Sequence, residues 1–134
     1  MMMTRARVVW TLVLLTAVAA IAVGYYYTVY LAQDHYTAGL GRIDSYSVGE
    51  PPTVLTIYFT VGFGDIAEDS SVAEDSRAVT VKANTSVFQP GTGRFKNLAG
   101  YPKQTTVTLN RPLGQRVVID GGTGRTVPLS PGQP

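Results

Sequence analysis

The sequence predicts an all-β domain, a small antiparallel β-sandwich or open barrel of five or six strands, preceded by one N-terminal transmembrane helix. Three observations predict it. A single apolar run, Val8–Leu31, lies near the N-terminus, and about a hundred residues follow without a second one. Beyond that run, apolar residues recur at every second position, the period of a half-buried strand. Fourteen Gly and eight Pro punctuate the chain at short intervals, which favours turns over long helices.

The apolar run comes first in the chain. Val8–Val23 carries no charge and only Thr11 and Thr16 as polar residues, and Gly24–Leu31 adds no charge. As a helix, Val8–Tyr30 would extend about 35 Å at ~1.5 Å per residue, enough to cross a ~30 Å hydrocarbon core. Arg5 and Arg7 precede the run, and the first charge after it is Asp34. A positive N-terminal flank places residues 1–7 in the cytoplasm and the C-terminal domain outside the plasma (inner) membrane. Trp10 near one end and Tyr25, Tyr26, Tyr27 and Tyr30 near the other form an aromatic belt at the two interfaces. The alternative is a signal peptide cleaved near Ala22, with small residues at Ala17/Ala19 or Ala20/Ala22, which would release a secreted domain. The chain has no Cys, so neither a lipidated cysteine nor a disulfide holds the exported part together.

Residues 32–52, with Gly39, Gly41, Gly49 and Pro51–Pro52, read as a juxtamembrane linker. The β domain is expected over 53–129. Thr53–Val61 alternates, with Leu55, Ile57, Phe59 and Val61 on one face, and Gly62 and Gly64 end it. A short polar strand is expected around Ile66–Val72 and a turn at Glu74–Asp75–Ser76. The clearest strand is Arg77–Phe88, with Val79, Val81, Ala83 and Val87 on one side. Gln89–Lys103 lacks periodicity and reads as a long loop. Gln104–Arg111 follows as a strand, and Gln115–Asp120 with Arg125–Leu129 reads as a hairpin around Gly121–Gly124. Residues 130–134 read as a disordered tail.

Chemistry is sparse. The one His, His35, sits next to the apolar run, away from any nucleophile. One His and no Cys leave zinc without a ligand set. Asp65, Glu68, Asp69, Glu74 and Asp75 are candidate calcium ligands, since hard cations take several oxygens, but they lack the spacing of a calcium-binding loop. Gly91–Thr92–Gly93 beside Arg94 and Lys96 could cradle a phosphate, although no helix start follows it. Five of nine acids lie between Asp65 and Asp75, whereas from Arg77 onward eight Lys/Arg face Asp120 alone. That split could give a basic face for anionic polymers or headgroups, or only solvated strand positions. No catalytic residue and no cofactor is expected, and nucleic acid is not an expected partner.

Two resemblances bear on function. Thr60–Val61–Gly62–Phe63–Gly64–Asp65 spells TVGFGD, which resembles the selectivity filter of potassium channels, where backbone carbonyls replace the hydration shell of the ion. That resemblance implies a channel-like component. Such a channel also needs a pore helix and a second spanning helix, and no second apolar run follows Asp65. Thr105–Leu109 followed by RPLGQRVVIDGGTGRTVPL, Arg111–Leu129, resembles small exported or membrane-anchored β domains of actinobacteria, over about Val54–Pro128. It implies a β fold of unknown function and assigns no site residue. Such domains often carry a cysteine pair that this chain lacks. Together these features point to a single-pass membrane protein whose β domain is a non-catalytic interaction or structural module of the cell envelope. An accessory subunit of a membrane complex fits the same features, with the lipid membrane and an envelope protein as its partners.

Overall fold

The computed structural model describes residues 2–131 and divides into two compact units. One comprises the N-terminal segment through His35 together with Pro90–Phe95, and the other Tyr36–Gln89 with the chain from Lys96 onward.

The first unit is built on helix α1, Met2–Tyr25, which continues without a break into a π-helical segment, Tyr26–Leu31. Arg7–Leu31 makes one span of 25 residues that is long and apolar enough to cross a membrane, with none of it buried inside the protein. Nothing in the sequence of this span competes with the helix. Its threonines return their hydroxyls to the preceding turn: Thr11 donates to the Arg7 carbonyl at 2.8 Å, Thr16 to Leu12 at 2.9 Å and Thr28 to Gly24 at 2.8 Å.

The second unit is mostly antiparallel β, a nearly closed, barrel-like sheet in the order β3-β5-β1-β2-β6, with β4 and β7 also paired to β5. The strands are β1 His35–Val48, β2 Val54–Gly62, β3 Ile66–Ala67, β4 Ser71–Glu74, β5 Ala78–Gln89, β6 Gly100–Thr108 and β7 Val117–Asp120. The alternation in β2 does what its period requires. Leu55, Ile57, Phe59 and Val61 are buried, and the intervening residues are half-buried. Val79, Val81 and Ala83 of β5 meet them, joined by Val107, Leu109, Leu113, Val118 and Val127. Each fully buried Leu, Ile, Val or Phe contributes about 1.5–3 kcal/mol by leaving water. Six such side chains, Phe59, Leu55, Ile57, Val79, Val81 and Val118, form the centre of this core.

Four sequence expectations change. Residues 32–52 are not a linker: His35–Val48 is the longest strand, pairing with β2 from Arg42↔Thr60 to Val48↔Leu55 around a bulge at Asp44. Its glycines are sites of close approach rather than breaks. A Cβ on Gly41 would lie 2.7 Å from the Phe59 ring, and one on Gly39 would overlap the Val87 side chain. The β domain therefore begins well before Thr53. The expected polar strand Ile66–Val72 divides into β3 and β4, which pair with opposite ends of β5. The loop after β5 is shorter than expected, because β6 starts at Gly100 and pairs with β2 along its whole length. Lastly, β7 runs parallel to β5. The glycine turn after β7 does fold back: Val127 N donates to the Val118 carbonyl at 2.8 Å and Asp120 N to Arg125 at 2.9 Å. The returning arm then reaches β1 through Tyr46 and Leu129 instead of forming a strand. Of the expected tail, residues 132–134 lie outside the described residues.

Candidate functional site

The residues expected at a membrane interface occupy the two ends of the helix. Arg7 and Trp10 lie in its first turns, Trp10 with its ring exposed, while the side chain of Arg5 lies outside the described residues. Tyr25, Tyr26, Tyr27 and Tyr30 lie at the far end, all exposed. Trp10 and Tyr30 are twenty positions apart, about 30 Å at the α-helical rise and about the thickness of a hydrocarbon core. The rings are ordered among themselves. Tyr26 stacks on Tyr30, one turn away, at 5.1 Å, and meets Tyr27 edge-on at 6.3 Å. Tyr30 lies 4.6 Å from the ring of His35. Tyr25, Tyr26, Tyr30 and His35, with Val29 and Gln33, line a concavity of about 480 Å³.

The same end is capped by Pro90–Phe95. A helix terminus leaves carbonyls unpaired, and here Thr92 supplies two donors to the Leu31 carbonyl, its amide at 2.9 Å and its hydroxyl at 2.8 Å. Asp34 accepts from Gly91 N at 2.9 Å and pairs with Arg94 at 2.6 Å. In the Gly91–Thr92–Gly93 stretch, a possible phosphate cradle in the sequence, the donors of Gly91 and Thr92 are thus used on the chain itself.

The acidic cluster is dispersed. Asp65 sits in the TVGFGD segment, which closes β2 as a tight turn. Gly62 N donates to Asp65 Oδ2 at 2.9 Å, and Phe88 N and Lys96 Nζ donate to Oδ1 at 2.8 and 2.5 Å. Its side chain is only 9% exposed. Desolvation pushes the Asp65 pKa up, but the hydrogen bonds from Lys96, Phe88 and Gly62 outweigh it, and the carboxyl ends below its usual range. Gly64 has φ +78°, with the Phe88 ring 3.0 Å from where a Cβ would stand. The glycines of the filter-like motif therefore answer to a turn.

Glu68 accepts from the Ser86 hydroxyl at 2.8 Å. Glu74 accepts from Asn110 N at 2.7 Å and from Arg116 at 2.8 Å; those two bonds, in that order, lower its pKa. Asp75 Oδ1 accepts the amides of Arg77 and Ala78 at 2.6 and 2.7 Å, which lower its pKa in turn. Each of these four carboxylates is engaged separately. Among the described residues no three His, Cys, Asp or Glu side chains are grouped to hold a metal ion, Asp69 included. β3, β4 and the turns between them spread these carboxylates apart.

One residue that the sequence reading passed over organises the C-terminal loops. Arg116 is buried, with its side chain 6% exposed, and every donor of its guanidinium is used. Nε donates to the Leu113 carbonyl at 3.2 Å, Nη1 to Glu74 at 2.8 Å and Asp75 O at 3.4 Å, and Nη2 to Arg111 O at 2.9 Å and Pro112 O at 3.0 Å. A planar five-donor fork suits this task as an ammonium would not. The signal available in the sequence was weak: an Arg between strand residues after a Pro-Leu-Gly turn. Beside it lies a surface concavity of about 460 Å³. A third depression, about 270 Å³, is bordered by Phe63, Tyr101 and Lys103 next to the TVGFGD turn, with the two rings 6.2 Å apart.

Comparison of the chain with protein-family models, with curated proteins and with solved structures finds no match.

Proposed function

We propose that this chain is a single-pass membrane protein with a cytoplasmic N-terminus and an extracytoplasmic β domain. In this reading the domain is a non-catalytic interaction or structural module of the cell envelope, or the accessory subunit of a larger membrane complex. The observation that carries it is the Arg7–Leu31 helix, apolar on every side and buried against nothing in the protein. A helix that is hydrophobic all round needs an apolar surrounding, and a bilayer supplies one. The hydroxyls of Thr11, Thr16 and Thr28 are satisfied inside the helix, as hydrocarbon demands. Arg7 at one end and the tyrosine cluster at the other supply the flanks. The likeness of the C-terminal stretch to anchored β domains of actinobacteria agrees with the same reading.

The absence of cysteine makes the test direct. Single substitutions Thr4→Cys and Ser130→Cys are expressed separately and treated with a membrane-impermeant maleimide. Ser130→Cys is labelled in intact cells and Thr4→Cys only after permeabilisation, and the intact mass retains residues 1–30. Protection of Ser130→Cys in intact cells overturns the orientation. A mass showing cleavage near Ala22 replaces the anchor with a secreted domain.

A further inference from the structure

We propose that the concavity between the β4–β5 turn and the Arg111–Arg116 loop is a binding site for a phosphate group. Its volume of about 460 Å³ is lined by three arginines, Arg77, Arg111 and Arg116, with Ser76 and Gln115 as neutral polar groups, and by no acid. The three guanidiniums play different parts. Arg116 is buried and its donors are all taken by Glu74 and four backbone carbonyls, so it fixes the loop and is not free for a ligand. Arg111 donates from one nitrogen, Nη2, to the Asp75 carbonyl at 3.0 Å, which orients the fork and leaves its other donors open. The Arg77 guanidinium donates no hydrogen bond among the described residues, although its backbone amide is fixed by Asp75 at 2.6 Å.

Glu74 and Asp75 lie near enough to interact electrostatically with Arg111 and Arg77, but neither lines the concavity. Glu74 is turned to Arg116 and Asn110 N, and Asp75 Oδ1 to the amides of Arg77 and Ala78. Two guanidiniums with open donors, Arg77 on the β4–β5 turn and Arg111 on the Arg111–Arg116 loop, line one concavity, and such forks suit a dianionic group with several oxygens better than ammonium groups do. The loop is held independently of any ligand: Arg116 N donates to the Leu113 carbonyl at 3.2 Å, and Gly114 takes φ +58°. The cavity is larger than one phosphate ion, so the group fits as part of a larger phosphorylated molecule, with free phosphate as its smallest probe. This inference rests on the second unit alone and is independent of the membrane reading.

The test is a titration of the full chain, in a non-ionic detergent, with inorganic phosphate, followed by amide shifts of Ser76, Gly114 and Gln115 in nitrogen–proton correlation spectra. Saturable shifts are expected, with a Kd on the order of 1 mM for two charge-assisted contacts at a water-exposed site. Sodium chloride at equal ionic strength gives only small, linear shifts. The double variant Arg77→Gln/Arg111→Gln weakens phosphate binding by at least about tenfold, while Arg125→Gln, also exposed, leaves it unchanged. Glycerol phosphate binding at least as tightly as inorganic phosphate places the group on a larger ligand; markedly weaker binding overturns that part. The site itself is overturned by phosphate shifts that match those of chloride in the wild-type chain, or by saturable shifts that persist in the double variant with its spectrum otherwise intact.

Discussion

Arg116→Met is the most demanding test of the C-terminal architecture. The substitution keeps an unbranched side chain of similar reach and removes the guanidinium. It deletes five hydrogen bonds: one to the Glu74 carboxylate, and four to the carbonyls of Asp75, Arg111, Pro112 and Leu113. Bonds to a charged group are worth about 1.5–3 kcal/mol each when well formed. Several of these carbonyls belong to exposed residues and regain water in the variant, so the full sum does not apply. The contact at 3.4 Å also counts for little. Two bonds lost outright give a cost of about 3 kcal/mol, at the lower edge of what removing one partner of a buried ion pair costs. For a domain of about a hundred residues that lowers the melting temperature by roughly 12–24 °C.

The assay is thermal unfolding of the full chain in non-ionic detergent, read in the far-ultraviolet circular dichroism of the β signal at constant detergent. Two further variants separate charge from shape. Arg116→Lys restores the positive charge without the fork and should recover only a minor part of the loss. Combining Arg116→Met with Glu74→Gln removes the stranded carboxylate and should be less destabilised than the two single variants sum to, as coupled partners are. A fall of less than about 5 °C for Arg116→Met would refute the reasoning, because about 1 kcal/mol is what a solvated surface pair contributes.

Gly64→Ala forces a side chain into φ +78° and against the Phe88 ring, and should cost about 1–2 kcal/mol in denaturant unfolding, whereas Gly93→Ala, also at positive φ but with open space around it, should cost less. Because the Asp65, Glu74 and Asp75 pKa values are all lowered in the folded chain, the unfolded chain binds more protons near pH 4. Stability is then fully present above about pH 5 and declines as pH falls below about 4, and Asp65→Asn should flatten that decline; an unchanged acid limb removes Asp65 from the account. Leu15→Arg, in the middle of the Arg7–Leu31 span, should cost about 3 kcal/mol of membrane insertion and shift the chain out of the carbonate-resistant fraction, with no change expected for Leu129→Arg.

The β class and the anchor-like helix were legible because each rests on a strong period. Leu55–Ile57–Phe59–Val61 and Val79–Val81–Ala83 can bury one face only as strands, and Val8–Leu31 has no polar face at all. The separation of the acidic side chains was not legible in the sequence. Asp65, Glu68, Glu74 and Asp75 lie within eleven residues, yet Asp75 is held by its neighbouring amides of Arg77 and Ala78, while the other three draw partners from Lys96, Ser86, Arg116 and the amides of Phe88 and Asn110. Those distant partners lie 18 to 42 positions away. Linear proximity concentrated the charges, and the pairing of β3 and β4 with opposite ends of β5 separated them.

The missed strand β1 teaches the opposite lesson about glycine. Gly39 and Gly41 look like punctuation because glycine is read first as a turn former. In β1 neither has positive φ; each is small because a neighbouring side chain occupies the volume a Cβ would need, Val87 beside Gly39 and the Phe59 ring beside Gly41. A glycine spaced by two from another glycine, with Leu40, Arg42 and Ile43 around it, is therefore compatible with a strand pressed against its neighbours. The consequence can be checked on Phe59, which fills the space Gly41 leaves. Gly41→Ala alone should destabilise by about 1–3 kcal/mol through overpacking, and Gly41→Ala combined with Phe59→Leu should recover part of that relative to Phe59→Leu alone. Strict additivity of the two changes would mean that Gly41 is glycine for some reason other than the ring, and β1 would lose the packing argument that makes it a strand.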